Sequence, residues 1–201
     1  MTSLSEYRTL RHTAEVLSDN GDYRPELGQT NPKIFDELVD RLFQGNGLPV
    51  IWEPFAGHVE ESRNHDVCKE WGVRLISYDI APSDSRVIKA DSTKDGPDEP
   101  IGGMVFHPPY FGAKPFSDEP GEVSLIVGRE EYLEALKKVA YFGWSAMISG
   151  GVVAAVCRRY RHGGQEVKLD EWFLELFGEV GFGLREVWSS EPDLILVMEK
   201  S

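Results

Sequence analysis

With 201 residues, 41% of them hydrophobic and 27% charged, the chain suits one soluble domain with a substantial core, and it is neither a membrane span nor a disordered segment. Its formal net charge of −13 argues against strong unaided binding of duplex nucleic acid, whose phosphates select a basic face. The two cysteines, Cys68 and Cys157, show no paired spacing, so neither a disulfide framework nor a zinc site is indicated; with no basic-then-apolar leader pattern, a cytoplasmic protein is expected.

Residues 1–30 read as a polar N-terminal arm with one short helix around 7–17, broken by Asn20-Gly21-Asp22 and Pro25. A helix begins near Pro32, with Ile34, Phe35, Leu38, Val39 and Leu42 at helical spacing, and closes at Gly45 and Gly47. A first buried strand over 50–52 is followed by a polar helix over 59–71 that Gly72 stops. Strands over 74–78 and 86–90 end in Asp79 and Asp91, and a Pro- and Gly-rich loop over 95–103 leads to a fourth strand at 104–106. Residues 111–128 form a loop too long to be a mere connection. Then come a helix over 130–142, a strand over 152–156, a basic loop over 158–164, a helix over 169–180 and two strands, 184–188 and 194–198, joined by a tight turn containing Pro192.

Strands alternating with helices predict an α/β fold of the Rossmann-like kind: a mostly parallel, seven-stranded sheet with helices on both faces. The last two strands are joined too tightly for a parallel crossover, so they form an antiparallel C-terminal hairpin. Residues 31–201 then make one domain, and no separate target-recognition domain is left over.

Ligands of such sheets sit at the carboxyl ends of the strands, and four of those ends carry signals in this chain. The first is Glu53-Pro54-Phe55-Ala56-Gly57, a turn that brings backbone close to a ligand ahead of a helix. The second is Asp79 with Ile80, where a carboxylate can accept from two ribose hydroxyls. The third is Asp91 with Ser92, placed to accept from an adenine amino group. The fourth is His107-Pro108-Pro109-Tyr110, in which two prolines stiffen a loop that carries an imidazole, free carbonyls and an aromatic ring.

This ordered set resembles the class I S-adenosylmethionine-dependent methyltransferases, and within them the amino-methylating DNA methyltransferases that form adenine N6 or cytosine N4 products. Those enzymes carry a D/E-P-F-x-G loop after strand one, acidic residues after strands two and three, and a [DNS]-P-P-[YFW] loop after strand four. The segment containing Thr30, Asn31 and Pro32 resembles their amino-terminal motif, whose helix helps hold the methionine end of the cofactor. The resemblance implies S-adenosylmethionine as cofactor, held by Thr30, Asn31, Pro32, by residues 53–57 (Glu53, Pro54, Phe55, Ala56, Gly57), by Asp79, Ile80, Asp91, Ser92 and by His107. It implies catalysis by His107, Pro108, Pro109 and Tyr110. Two positions depart from the pattern: Gly57-His58-Val59 lacks the second glycine, and His107 stands where Asp, Asn or Ser is usual.

On this reading an acceptor side chain and the Pro108 carbonyl draw on the hydrogens of an exocyclic amine, and a neutral imidazole has one nitrogen able to serve. Tyr110 stacks on an extruded base, and no metal is needed. Arg158, Arg159 and Arg161, with Phe111, are candidate contacts to a nucleic-acid substrate. DNA is the first expectation for the partner, with a protein partner to supply binding or specificity. The alternatives are an RNA base methyltransferase and an inactive methyltransferase-like subunit of a complex.

Overall fold

A computed structural model describes residues 4–12, 14–16, 30–43, 50–57 and 62–201. The breaks expected at 20–22 and Pro25, the helix end at Gly45 and Gly47, and the His58-Val59 departure lie outside the described residues. Ten strands are present among them: β1 (Glu15–Val16), β2 (Val50–Glu53), β3 (Arg74–Asp79), β4 (Ile88–Lys89), β5 (Ile101–Phe106), β6 (Met147–Cys157), β7 (Arg159–His162), β8 (Gln165–Lys168), β9 (Phe182–Ser190) and β10 (Asp193–Lys200). Five α-helices accompany them: α1 (Leu4–His12), α2 (Pro32–Leu38), α3 (Arg63–Glu70), α4 (Arg129–Ala146) and α5 (Leu169–Val180).

The main sheet has the order β1-β9-β10-β6-β5-β2-β3-β4. Its central strands are parallel, while β10 runs antiparallel to both β6 and β9. This is the expected Rossmann-like sheet of seven strands and its C-terminal hairpin, with one short strand added: β1, from the N-terminal arm, pairs parallel with β9. Strand order reverses between β2 and β5, since the chain runs outward through β3 and β4 on one side and through β6 on the other. Such a reversal opens a crevice at the carboxyl edge.

Alternation along β5 divides the core. Met104 and Phe106 pack with Tyr132, Leu136, Val139, Phe173 and Phe177 of α4 and α5. Val105 faces the other way, with Ile34, Phe35, Leu38 and Phe43, the last at the end of a π-turn that extends α2 through Val39–Phe43. Side chains alternate between the two faces of a strand, so each face takes its own helical layer.

Five expectations need correction. The helix expected around 7–17 is α1, Leu4–His12, and Glu15–Val16 beyond it is strand. The third strand, expected over 86–90, is only Ile88–Lys89. The fourth strand starts at Ile101, inside the stretch expected to be loop, and its Gly103 lies under the Phe43 ring: a Cβ there would come within 2.3 Å of it. That glycine serves a close approach and not a turn. The helix expected to end at 142 continues to Ala146, and its strand begins at once with Met147. The expected basic loop is an antiparallel hairpin of β7 and β8, tipped by Gly163 and Gly164, both at positive φ.

Candidate active site

The crevice at the reversal point is a cavity of about 160 Å³. One end is bounded by the turns after β2, β3 and β4. Gly57 takes φ 81°, a left-handed conformation that suits glycine, and its N–H donates to Asp79 Oδ2 at 3.0 Å. Asp79 Oδ1 accepts from the Ala81 N–H at 2.9 Å. Asp91 Oδ1 accepts from the Thr93 N–H and hydroxyl, and its Oδ2 pairs with Lys94 at 2.7 Å. Burial alone would raise the Asp91 pKa, but the bonds from Lys94 and Thr93 outweigh it and leave the carboxyl below its ordinary value. The Ser92 hydroxyl donates to the Pro54 carbonyl at 2.6 Å, which ties the turn after β4 to the turn after β2.

The loop following Tyr110 folds over this end. Gly121, at φ 100°, sits so close to Asp91 that a Cβ would lie 2.8 Å from Oδ2. Glu122 fixes the loop from inside, accepting from Ser117 at 2.8 Å and from the Ser124 hydroxyl at 2.9 Å. Phe116, Ser117 and Val123 complete the roof.

The other end is built around the His107 turn. Tyr132 donates to the Pro109 carbonyl at 2.9 Å and anchors that turn to α4. His107 Nδ1 lies 3.2 Å from the Thr30 hydroxyl, and its Nε2 lies 3.2 Å from the Tyr110 hydroxyl. Tyr110 in turn donates to Asp193 Oδ1 at 3.1 Å. Arg158 closes the chain, its Nε–H and Nη2–H donating to the two Asp193 oxygens at 2.8 and 3.1 Å. The Tyr110 ring stacks on Tyr160, with centroids 5.9 Å apart and planes 15° from parallel.

These bonds assign the His107 tautomer. Tyr110 has one hydroxyl hydrogen, given to Asp193, so it accepts from Nε2–H; Nδ1 is then the acceptor and takes the Thr30 hydrogen. Burial pushes the His107 pKa down to about 4, with Arg158 adding to the effect and Asp193 opposing it. The ring is therefore neutral at pH 7, as the sequence reading required. Its acceptor nitrogen, however, is engaged by Thr30, so the part of amine acceptor does not fall to His107 in this arrangement. Burial, followed by the Asp193 charge, raises the Tyr110 pKa well above its ordinary value and keeps that hydroxyl a donor.

Of the residues expected at the site, Pro54, Phe55, Gly57, Asp79, Ile80, Asp91, Ser92, His107, Pro108, Pro109, Tyr110 and Arg158 line the cavity. Others lie behind it. Glu53 is buried between α3 and β3, accepting from Asn64 at 2.7 Å and Ser77 at 2.9 Å. Desolvation, against those two bonds, raises its pKa to about 7. Ala56 is buried, with its N–H on the Tyr78 carbonyl. Asn31 caps α2 by accepting from the Lys33 N–H, and Pro32 fills the first helical turn. Thr30 reaches the site only through His107.

The basic cluster divides. Arg158 faces the cavity, paired with Asp193. Arg159 turns the other way, donating to the fully buried Asp170 and to Glu171, where Tyr7 of α1 also donates to Asp170. Arg161 lies exposed on the hairpin and bonds the Gly164 carbonyl. Phe111 packs edge-on against Tyr132 and Trp172 and does not reach the cavity. Asp193 was missed by sequence reasoning. Its only local signal is a carboxylate after Pro192 in a hairpin turn, which describes most solvated turns equally well. Among the described residues, no cluster of side chains suits a metal ion, and no helix is long and apolar enough to cross a membrane.

Neither a protein-family model nor a curated protein matches the sequence. Solved structures match the fold. The 1,6-didemethyltoxoflavin-N1-methyltransferase of Burkholderia thailandensis, a structure with bound S-adenosylhomocysteine, aligns over 100% of this chain and 92% of its own at 12% identity and TM-score 0.56. A TehB-like SAM-dependent methyltransferase from Corynebacterium glutamicum aligns over 98% and 95% at 15% identity and TM-score 0.55. TrmN from Thermus thermophilus aligns over 86% of this chain at 14% identity and TM-score 0.52, and the chain spans 49%, about half, of its length. At such identities the likeness concerns the fold alone. With its strand order, its antiparallel β10 and a cavity at the point of reversal, the chain has the fold of the class I S-adenosylmethionine-dependent methyltransferases.

Proposed function

We propose that the chain binds S-adenosylmethionine and transfers its methyl group to an exocyclic amino group of a nucleobase, adenine N6 in DNA before cytosine N4. The observation that carries this reading is the continuity of one cavity from Asp79 and Asp91 to the Pro-Pro-Tyr turn. Carboxylates at the ends of β3 and β4 suit a ribose and an adenine amino group. Phe55 and Ile80 offer apolar walls for the purine. The turn after β5, held by Tyr132 on the Pro109 carbonyl, brings Pro108 and the Tyr110 ring to the wall, where an amine conjugated into a base would lie.

At about 160 Å³ the cavity is smaller than the roughly 300–1,000 Å³ of small-molecule sites. A base extruded from a nucleic acid then meets Tyr110 and extends or replaces its stack on Tyr160. With a net charge of −13 the chain favours single-stranded or distorted DNA, or a protein partner that carries the phosphate contacts. RNA is the other polymer of the same chemistry.

One observation favours a second reading, a catalytically inactive subunit: both His107 ring nitrogens are engaged by protein groups, and the turn begins with neither acid nor amide. Incubation with methyl-labelled cofactor and either DNA or RNA, followed by digestion to nucleosides, tests both. Labelled N6-methyl-2′-deoxyadenosine or N4-methyl-2′-deoxycytidine from DNA supports the first reading, and a labelled amino-methylated ribonucleoside of adenine or guanine from RNA moves it to that polymer. Cofactor binding without transfer to either supports the second.

A further inference from the structure

The acceptor missing from the turn after β5 is present elsewhere in the wall. Asp193 is the first residue of β10, its side chain only 5% exposed, and it lines the cavity beside Tyr110 and Pro108. It arrives there through register: β10 runs antiparallel to β6, Leu194 opposite Cys157, so the residues just beyond that pair, Arg158 and Asp193, meet at the carboxyl edge. An ionised carboxylate has about four lone-pair sites. Arg158 takes two and Tyr110 a third. The cavity's other carboxylates are placed differently. Asp79 and Asp91 belong to the far side of the strand reversal, and Glu122 is held in the roof by Ser117 and Ser124.

We propose that Asp193 is the catalytic acceptor of the transfer site, a carboxylate supplied by the C-terminal hairpin in place of the side chain usual at the head of the Pro-Pro-Tyr turn. This rests on the methyl-transfer reading above. The nitrogen lone pair forms the new N–CH3 bond while the C–S bond breaks, its electron pair staying on sulfur to leave S-adenosylhomocysteine. The nitrogen, now cationic, gives its proton to Asp193, which passes it to solvent. A conjugated amine so alkylated is a strong acid, so a carboxylate is base enough. Tyr110, His107 and Thr30 are positioning residues, a relay of hydrogen bonds that aims the carboxylate. Because Arg158 already balances the charge of Asp193, the pair suits a neutral conjugated amino group better than a cationic aliphatic amine.

The test measures donor affinity by calorimetry and methyl transfer by label on the same preparations, using the polymer that the wild-type protein methylates. Asp193→Asn is expected to bind S-adenosylmethionine within twofold of wild type and to lower kcat by about a hundredfold or more, with the donor KM unchanged. Asp193→Glu, which keeps the carboxylate, is expected to recover part of the rate. If Asp193→Asn melts early because Arg158 has lost its partner, the double variant Arg158→Gln, Asp193→Asn removes the pair as a unit and meets the same criterion. A kcat within threefold of wild type in either variant, with donor binding intact, overturns the assignment alone. Failure of the wild-type protein to methylate any base overturns the methyl-transfer reading and the assignment with it.

Discussion

At one end of the cavity Asp79 accepts from Ala81 and Asp91 from Thr93, each bond reaching two residues along the chain. At the other end Thr30 meets His107 across 77 residues, and Tyr110 meets Asp193 across 83. The Asp79 and Asp91 end is thus made largely of turns, and a turn is a local object whose geometry follows from its own few residues. The His107 end is made of strand register and of Thr30, brought in from ahead of α2. The first kind of site takes most of its shape from its own turns, with Gly57 to Asp79 and Ser92 to Pro54 joining one turn to the next. The second exists only while β10 lies against β6 in one alignment.

Substitutions can break this contrast, and the largest effect is expected at Asp79. Asp79→Ala removes the acceptor for two backbone N–H groups and, on the proposed function, for the ribose, so donor affinity should fall roughly a hundredfold, about 2.7 kcal/mol. Calorimetry checks it, and the fluorescence of Tyr110 and Tyr160 should stay unchanged if the two ends are independent.

Titration sharpens the contrast, because the two buried groups behind it pull in opposite directions. Glu53, raised from 4.5 to about 7, holds more protons folded than unfolded between those values, so its contribution to stability is present at low pH and lost as pH rises toward 7. His107, lowered from 6.5 to about 4, holds fewer, so its contribution is present above 6.5 and lost as pH falls toward 4. Each swing is on the order of 3 kcal/mol at most. Denaturant midpoints measured from pH 4 to 7 should therefore gain an upward slope with pH, relative to wild type, in Glu53→Gln, and a downward one in His107→Asn. Slopes of the same sign in both variants would contradict the opposed pair.

Adjacent arginines give a smaller effect. Arg159→Ala should cost about 2 kcal/mol of stability by depriving buried Asp170 of its guanidinium, while donor binding and methyl transfer stay at wild-type values. A loss of nucleic-acid affinity with no change in melting would place Arg159 at the substrate after all. Smallest is Tyr110→Phe, which keeps the ring on Tyr160 but cuts the link from His107 to Asp193. Stability should drop by about 1 kcal/mol and transfer slow several-fold, with donor affinity unaltered.

Much of this molecule is legible in its sequence. Val105 between Met104 and Phe106 announces a strand buried on both faces, and Pro32 after Asn31 announces a capped helix. Asp79 and Asp91 stand at strand ends where apolar runs stop. Two prolines after His107 make the turn after β5 stiff whatever surrounds it. These features follow from periodicity and from backbone restrictions that act over a few residues, and they were enough to predict the sheet and its closing hairpin and to bring the strand-end residues Asp79 and Asp91 to one cavity.

Only the tertiary structure decided the rest. Gly103 looked like loop until Phe43 was seen lying across it. Glu53 looked like a ligand contact until its partners, Asn64 and Ser77, placed it behind the wall. Arg158 and Arg159 looked alike until one met Asp193 and the other Asp170. Asp193 itself carries no local mark, because its role comes from a pairing between Leu194 and Cys157. Non-local register is set by how two hydrophobic faces fit across the whole sheet, and no short stretch of chain contains that information.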